Sequence, residues 1–200
     1  MKWFISYARR DSKGDFHPVH EFVKRDFSPL MRAALNVHGL GDVYSDHDDD
    51  GSPRCREQIL KRLRGAHGVI ALVDFRYVER PWCRFELEVG LHLQANGGGG
   101  NRLIVMPLTH DVDALKSELA RVGLALAGFD GPDLLHKRIQ SGREPVSPVF
   151  SGAVRSARAR LATRIEEYVV RHFPRGTALP VVWTPELELK AGELLLGKTS

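Results

Sequence analysis

Glu86 is the residue whose type and position most plainly call for chemistry. It stands in Pro81-Trp82-Cys83-Arg84-Phe85-Glu86-Leu87-Glu88. At about 100° per residue, Trp82, Cys83, Phe85, Val89, Gly90 and Leu93 fill one arc of a helix and Glu86 falls at its centre. An ionised carboxylate against apolar neighbours costs several kcal/mol unless it is paired or sits at the wet mouth of a cleft. Catalysis or ligand binding would account for bearing that cost; pairing with a basic residue at the rim is the other account. Glu88 points the opposite way, where the spacing predicts an i, i+4 pair with Arg84 on the solvated side.

Other residue types that carry chemistry are less well placed. Cys55 and Cys83 fall on predicted helices without metal-ligand spacing, and no local motif joins either to a histidine as nucleophile and base. They read as small buried residues of a reducing compartment. Asp48-Asp49-Asp50-Gly51 is superficially like a calcium loop but lacks the alternating ligand positions and the terminal glutamate, so no metal site is expected. Gly192 to Thr199 satisfies the pattern of a phosphate-binding loop, yet no helix follows to present amides to a phosphate, and three leucines occupy the cradle.

Positioning these residues requires elements, and their pattern is that of an α/β protein. Trp3 to Ala8, Val43 to Ser45, Gly68 to Asp74 and Leu103 to Leu108 read as strands, the third a continuous apolar run of the kind buried on both faces of a parallel sheet. Helical spacing covers Val19 to Phe27 and continues through Val37 after Ser28-Pro29, which reads as a cap and a break. Further helices are expected from Ser52-Pro53 to near Gly65, over the Glu86 segment, over Val112 to Leu126 and over Val154 to Phe173. Phe75-Arg76-Tyr77 reads as a turn. Strands alternating with helices argue for a doubly wound sheet, whose ligands bind at the carboxyl ends of the strands. The loops after the first three strands emerge at that edge. Glu86, about one turn into the helix after the third strand, can face it, where the helix dipole favours its ionised form by roughly 0.3–1 kcal/mol.

With 200 residues and 42% hydrophobic content, the chain is expected to form one domain over residues 1–174, followed by a tail over 175–200 in which Pro180 to Trp183 is an added strand or an assembly contact. No apolar run is long enough to span a bilayer and Met1-Lys2-Trp3-Phe4 leads straight into a strand, so the expectation is a cytoplasmic protein without membrane contact. The formal charge of +4 is not a nucleic-acid signal: Arg155, Arg158, Arg160 and Arg164 cluster on one late helix without interleaved aromatic residues and read as a solvated helix face.

Phe4-Ile5-Ser6-Tyr7-Ala8, then Tyr44-Ser45-Asp46 ahead of an acidic loop with Gly51, then Trp82-Cys83-Arg84-Phe85-Glu86-Leu87 stand in an order and spacing that resembles the Toll/interleukin-1 receptor (TIR) family in its bacterial stand-alone form. The resemblance runs from about Met1 to Pro174. It implies a flavodoxin-like, three-layer α/β/α fold around a five-stranded parallel sheet. It also implies a hydrolase or cyclase that takes NAD+ as substrate, needs no cofactor, and cleaves the nicotinamide–ribose bond to ADP-ribose or a cyclic ADP-ribose signal in prokaryotic antiviral defence. Homo-oligomerisation through TIR–TIR contacts and a downstream effector that senses the product belong to the same implication. The alternative within the family is a non-catalytic adaptor that works through TIR–TIR contacts, often by the loop at Asp46 to Pro53; a deoxyribosyltransferase-like enzyme is a third reading.

By the same resemblance, Glu86 matches the catalytic glutamate. Loss of nicotinamide leaves an oxocarbenium-like ribose that a positioned carboxylate stabilises, as in glycoside cleavage. Tyr7, Ala8 and Arg9 match the segment lining the nucleotide cleft, with Arg9 a phosphate partner. Asp46 opens the cleft-side loop, and Trp82 and Cys83 support Glu86. Two positions depart from the pattern: Arg80 stands where the family often has a serine near the ribose, as a phosphate or ribose contact or a surface charge, and Gly51-Ser52-Pro53 replaces the usual Pro-Gly order.

Overall fold

Short apolar runs build the sheet. In the computed structural model, which describes residues 1–9, 18–45, 53–97, 101–109, 111–126, 152–173 and 181–197, Lys2–Tyr7 (β1), Asp42–Ser45 (β2), Gly68–Val73 (β3) and Leu103–Pro107 (β4) pair in parallel. The order is β2-β1-β3-β4. The register sets Ile5 beside both Ser45 and Ile70, and Ala71 beside Val105. Every residue of β3 and β4 is buried, as a sheet covered on both faces demands. The resemblance implies five strands; four are present among the described residues.

The period of two along β1 divides the core. Trp3, Ile5 and Tyr7 face a layer built by Pro18–Phe22 (α1), Ser28–Val37 (α2) and Gly152–His172 (α7), where Leu161, Ile165, Tyr168 and Val169 of α7 and Phe173 just after it are buried. Phe4 and Ala8 face the opposite layer, made of Pro53–Arg64 (α3), Phe75–Glu79 (α4), Pro81–Asn96 (α5), Val112–Arg121 (α6) and Pro185–Leu195 (α8). Helices therefore cover both faces of a parallel sheet, and the described chain is α/β.

Several local readings change. Ser28-Pro29 does not break the first helical stretch: Val23–Phe27 widens into a π-helical turn in which the Ser28 N–H bonds to Val23 O, and Ser28 itself has helical dihedrals. Pro29 follows directly, where its missing N–H is absorbed by the change of hydrogen-bond register. The Ser28 hydroxyl is not a cap but a buried partner of the Ser45 hydroxyl at 2.9 Å. Phe75-Arg76-Tyr77 is not a turn but the start of α4, capped by Asp74, whose carboxylate accepts the Tyr77 N–H at 2.8 Å. The helix expected over Val112 to Leu126 stops at Arg121, closed by Gly123 at φ 83° and the Leu124 N–H on Leu119 O.

Residues 181–184 pair with no strand among the described residues, and the tail instead forms α8, capped by Thr184. α8 packs on α3 and α5 through Trp183, Leu187, Ala191 and Leu194. Arg64 grips Glu188 with two hydrogen bonds, and Glu88 pairs with Lys190 rather than with Arg84. Exposed pairs of this sort contribute at most about 1 kcal/mol each, so the apolar side chains hold the helix down. Gly192 to Leu195 is the last turn of α8, a geometry that presents no loop of amides to a phosphate. Among the described residues no helix is long and apolar enough to cross a membrane.

One glycine governs how α5 meets the sheet. A Cβ at Gly90 would stand 2.7 Å from Leu103 Cδ1 and 3.1 Å from Val69 Cβ, so the helix backbone rests directly on β3 and β4. Gly90 is one turn beyond Glu86 on the same face, and this close approach brings Glu86 to the sheet. Gly90→Val should overpack the contact, lowering stability by about 1–3 kcal/mol in urea unfolding; an unchanged midpoint would mean that α5 has room to spare there.

Candidate functional site

The site is assembled at the carboxyl end of β1, where α4 and α5 come down on one face of the sheet. β3 ends at Val73, Asp74 caps α4, and Arg80 opens α5 with an extended backbone and Pro81 in the first turn. α5 buries Cys83, Phe85, Glu86, Leu87, Val89, Gly90 and Leu93, close to the arc its periodicity predicts. Glu86 is only 7% exposed.

The carboxylate is met by a strand residue. Ser6, 1% exposed, donates its hydroxyl hydrogen to Glu86 Oε2, and the same Ser6 oxygen lies 2.7 Å from the Tyr77 hydroxyl. Because Ser6 spends its one proton on Glu86, Tyr77 is the donor in the second bond. Tyr77, Ser6 and Glu86 thus form a directed chain in which each hydroxyl passes its hydrogen toward the carboxylate. Burial pushes the Tyr77 phenol well above its ordinary value, and the nearby Cys83 and Glu86 push it the same way, against a smaller opposing effect of the Ser6 hydrogen bond. Tyr77 stays a neutral donor throughout the neutral range.

The residues singled out from the sequence separate into groups. Ala8 and Cys83 share the buried cluster on the Glu86 side of the sheet, and Cys83 is a buried thiol one turn before Glu86. Tyr7 is on the other face: it is 4% exposed, stacked on His20, with its hydroxyl 2.9 Å from His20 Nδ1. The alternation of β1 that points Ser6 at Glu86 sends Tyr7 away from it. Arg9 follows β1 at the same edge and is half-buried. Arg80, at the start of α5, is half-buried and makes no side-chain cap. Trp82 is also half-buried and packs edge-on against Phe85, which meets Trp183 edge-on in turn at 5.7 Å, so it supports the flank of α5. Asp46 and the rest of the acidic loop lie outside the described residues.

No known family model matches the chain, and no characterised protein does. Among the described residues no group of histidine, cysteine and carboxylate side chains is arranged to hold a metal ion. What the described atoms offer is an oriented carboxylate at the ligand-binding edge of a parallel sheet, held by a hydroxyl. Such a group can stabilise a developing positive charge or hold a substrate hydroxyl.

Ser6 and Tyr77 were missed from sequence. Ser6 has a readable signal, a hydroxyl between Phe4 and Ala8 on the buried part of one face of β1. Tyr77 had one in Asp74, three residues ahead as an N-cap.

The chain of hydroxyls has a measurable signature. In the unfolded protein Tyr77 ionises near pH 10, whereas the folded protein retains that proton to higher pH. Its stabilising effect is therefore complete below about pH 10 and lost as pH rises through the folded value. Tyr77→Phe should leave the amplitude of phenolate absorbance before alkaline unfolding unchanged and reduce the loss of Tm above about pH 10. Ser6→Ala, which removes a partner from two buried groups, should cost about 1–3 kcal/mol. Loss of one tyrosine's amplitude in the Phe variant would contradict the burial of Tyr77.

Proposed function

We propose that the protein is a TIR-domain NAD+ glycohydrolase or cyclase, in which Glu86 acts at the nicotinamide–ribose bond. The observation that carries this reading is the burial of Glu86 at the carboxyl end of β1 with its Oε2 held by Ser6. The motifs Phe4-Ile5-Ser6-Tyr7-Ala8 and Trp82-Cys83-Arg84-Phe85-Glu86-Leu87, chosen for their resemblance to one family, supply both partners of that contact. The order β2-β1-β3-β4 supports it further, being that of the first four strands of a flavodoxin-like sheet.

In this reading the bond from C1′ of the nicotinamide ribose to the ring nitrogen breaks heterolytically. Both electrons leave with nicotinamide, and the positive charge on the ribose is stabilised by the Glu86 carboxylate. Ser6 keeps the carboxylate from turning, and the neutral Tyr77 keeps Ser6 in place. Water captures the cation in a hydrolase; a nitrogen or hydroxyl of the same nucleotide captures it in a cyclase. Arg9 and Arg80, both half-buried and following β1 and opening α5, are suited to the diphosphate or the ribose. Tyr7, turned to His20, serves the fold of this edge rather than the nucleotide. Self-assembly, a cytoplasmic setting and a product-sensing partner belong to the same proposal.

The adaptor reading predicts no turnover and indifference to Glu86. Purified wild-type protein at high concentration should release nicotinamide from NAD+, and Glu86→Gln should lower that release by at least about 100-fold, in the range for loss of a transition-state electrostatic group. Chromatography of the ADP-ribose species would separate hydrolase from cyclase. Equal release by a folded Glu86→Gln variant would overturn the assignment.

A further inference from the structure

At the other end of the sheet the molecule carries a second feature that the Glu86 chemistry does not use. A groove of about 670 Å³ runs along β2 between α2 and α3, lined among others by Lys2, Arg32, Asp42, Tyr44, Lys61 and Arg62. Its size falls within the roughly 300–1,000 Å³ of small-molecule sites. We propose that this groove binds a multiply charged, phosphate-bearing small molecule.

The charges in the groove are unbalanced. Its one carboxylate, Asp42, is taken by Arg32, whose Nε donates to Asp42 Oδ1 at 2.9 Å. No carboxylate among the described residues lies in salt-bridge range of Lys2, Lys61 or Arg62. Arg62 is also preorganised: its guanidinium lies over the Tyr44 ring, 3.6 Å from the centroid. Stacking fixes the plane of the group and leaves the N–H edge for an oxyanion, the geometry in which arginine grips phosphate with two parallel hydrogen bonds. Lys2 and Lys61 add point charges beside that fork.

The neighbouring groups narrow the ligand. Val43 presents its N–H and C=O away from β1, and both are occupied, the first by Asp42 Oδ1 at 2.8 Å and the second by Arg32 Nη2 at 2.8 Å. This clamp disfavours pairing of an added peptide strand with β2. Tyr44 has Arg62 over its ring and Phe4 packed at 5.8 Å, so stacking of a nucleobase is not what the groove offers. Recognition falls to the anionic oxygens. The local potential agrees: His67, which accepts the Lys2 N–H, is held below its ordinary value first by burial and then by the N-terminal amine, Arg102 and Lys2.

The proposal is independent of the NAD+ reading, because the groove lies toward the amino ends of the strands and Glu86 toward the carboxyl ends. Inorganic tripolyphosphate is the probe, titrated calorimetrically into the full chain at about 0.15 M salt, where nonspecific attraction between exposed charges is screened. Wild-type protein should bind it saturably at one site. The double variant Lys61→Gln/Arg62→Gln, at two exposed positions, should bind at least about tenfold more weakly. Arg160→Gln/Arg164→Gln, which removes the same charge from the exposed side of α7, should stay within about twofold of wild type. Absence of saturable binding by the wild type, or equal weakening in the two double variants, would overturn the proposal.

Discussion

A carboxylate packed against a parallel sheet costs several kcal/mol unless hydrogen bonds replace the water it gives up. In this protein a strand hydroxyl supplies part of that compensation. Ser6 donates to Glu86, Tyr77 donates to Ser6, and the phenol remains protonated because its surroundings are apolar and carry negative charge. The direction of the chain follows from this. With hydrogens passing from Tyr77 to Ser6 to Glu86, the carboxylate is an acceptor with a fixed orientation, the state in which it can meet a developing cation.

The rest of the structure reads as the support for that contact. Gly90 lets the α5 backbone rest on Val69 and Leu103, which sets the depth of Glu86. Asp74 starts α4 in the turn that delivers Tyr77. On the outer side of α5, Phe85 sits between Trp82 and Trp183, and Glu88 reaches Lys190, so the C-terminal helix braces the helix bearing the carboxylate. A helix tied to its neighbours on both sides holds a buried acid better than a loop would, since productive geometry tolerates only small displacements.

Much of this was legible in the sequence, for physical reasons. A run such as Gly68 to Val73 is buried on both faces in a covered parallel sheet, and helical periodicity alone places Glu86 among apolar residues. The period of two goes further: it assigns Ser6 and Tyr7 to opposite faces of the sheet, so only Ser6 shares the face of Glu86. Tyr77 is not legible from periodicity, since a helix of five residues has too little of it to detect. The pairing of Glu88 with Lys190 lay beyond reach, because partners so far apart in sequence meet only when the tail helix docks. Ser28-Pro29 looked like a helix start because proline favours one, and the widened turn that accommodates it leaves no mark in composition.

Catalysis by Glu86 requires the ribose beside nicotinamide to bind where Glu86 and Ser6 meet. A crystal structure of the Glu86→Gln variant soaked with NAD+ would locate it. The nicotinamide ribose should lie within hydrogen-bond distance of the side chain at position 86, at the carboxyl end of β1. NAD+ bound elsewhere on the molecule, or seated at this edge with its ribose turned away from position 86, would contradict catalysis by Glu86.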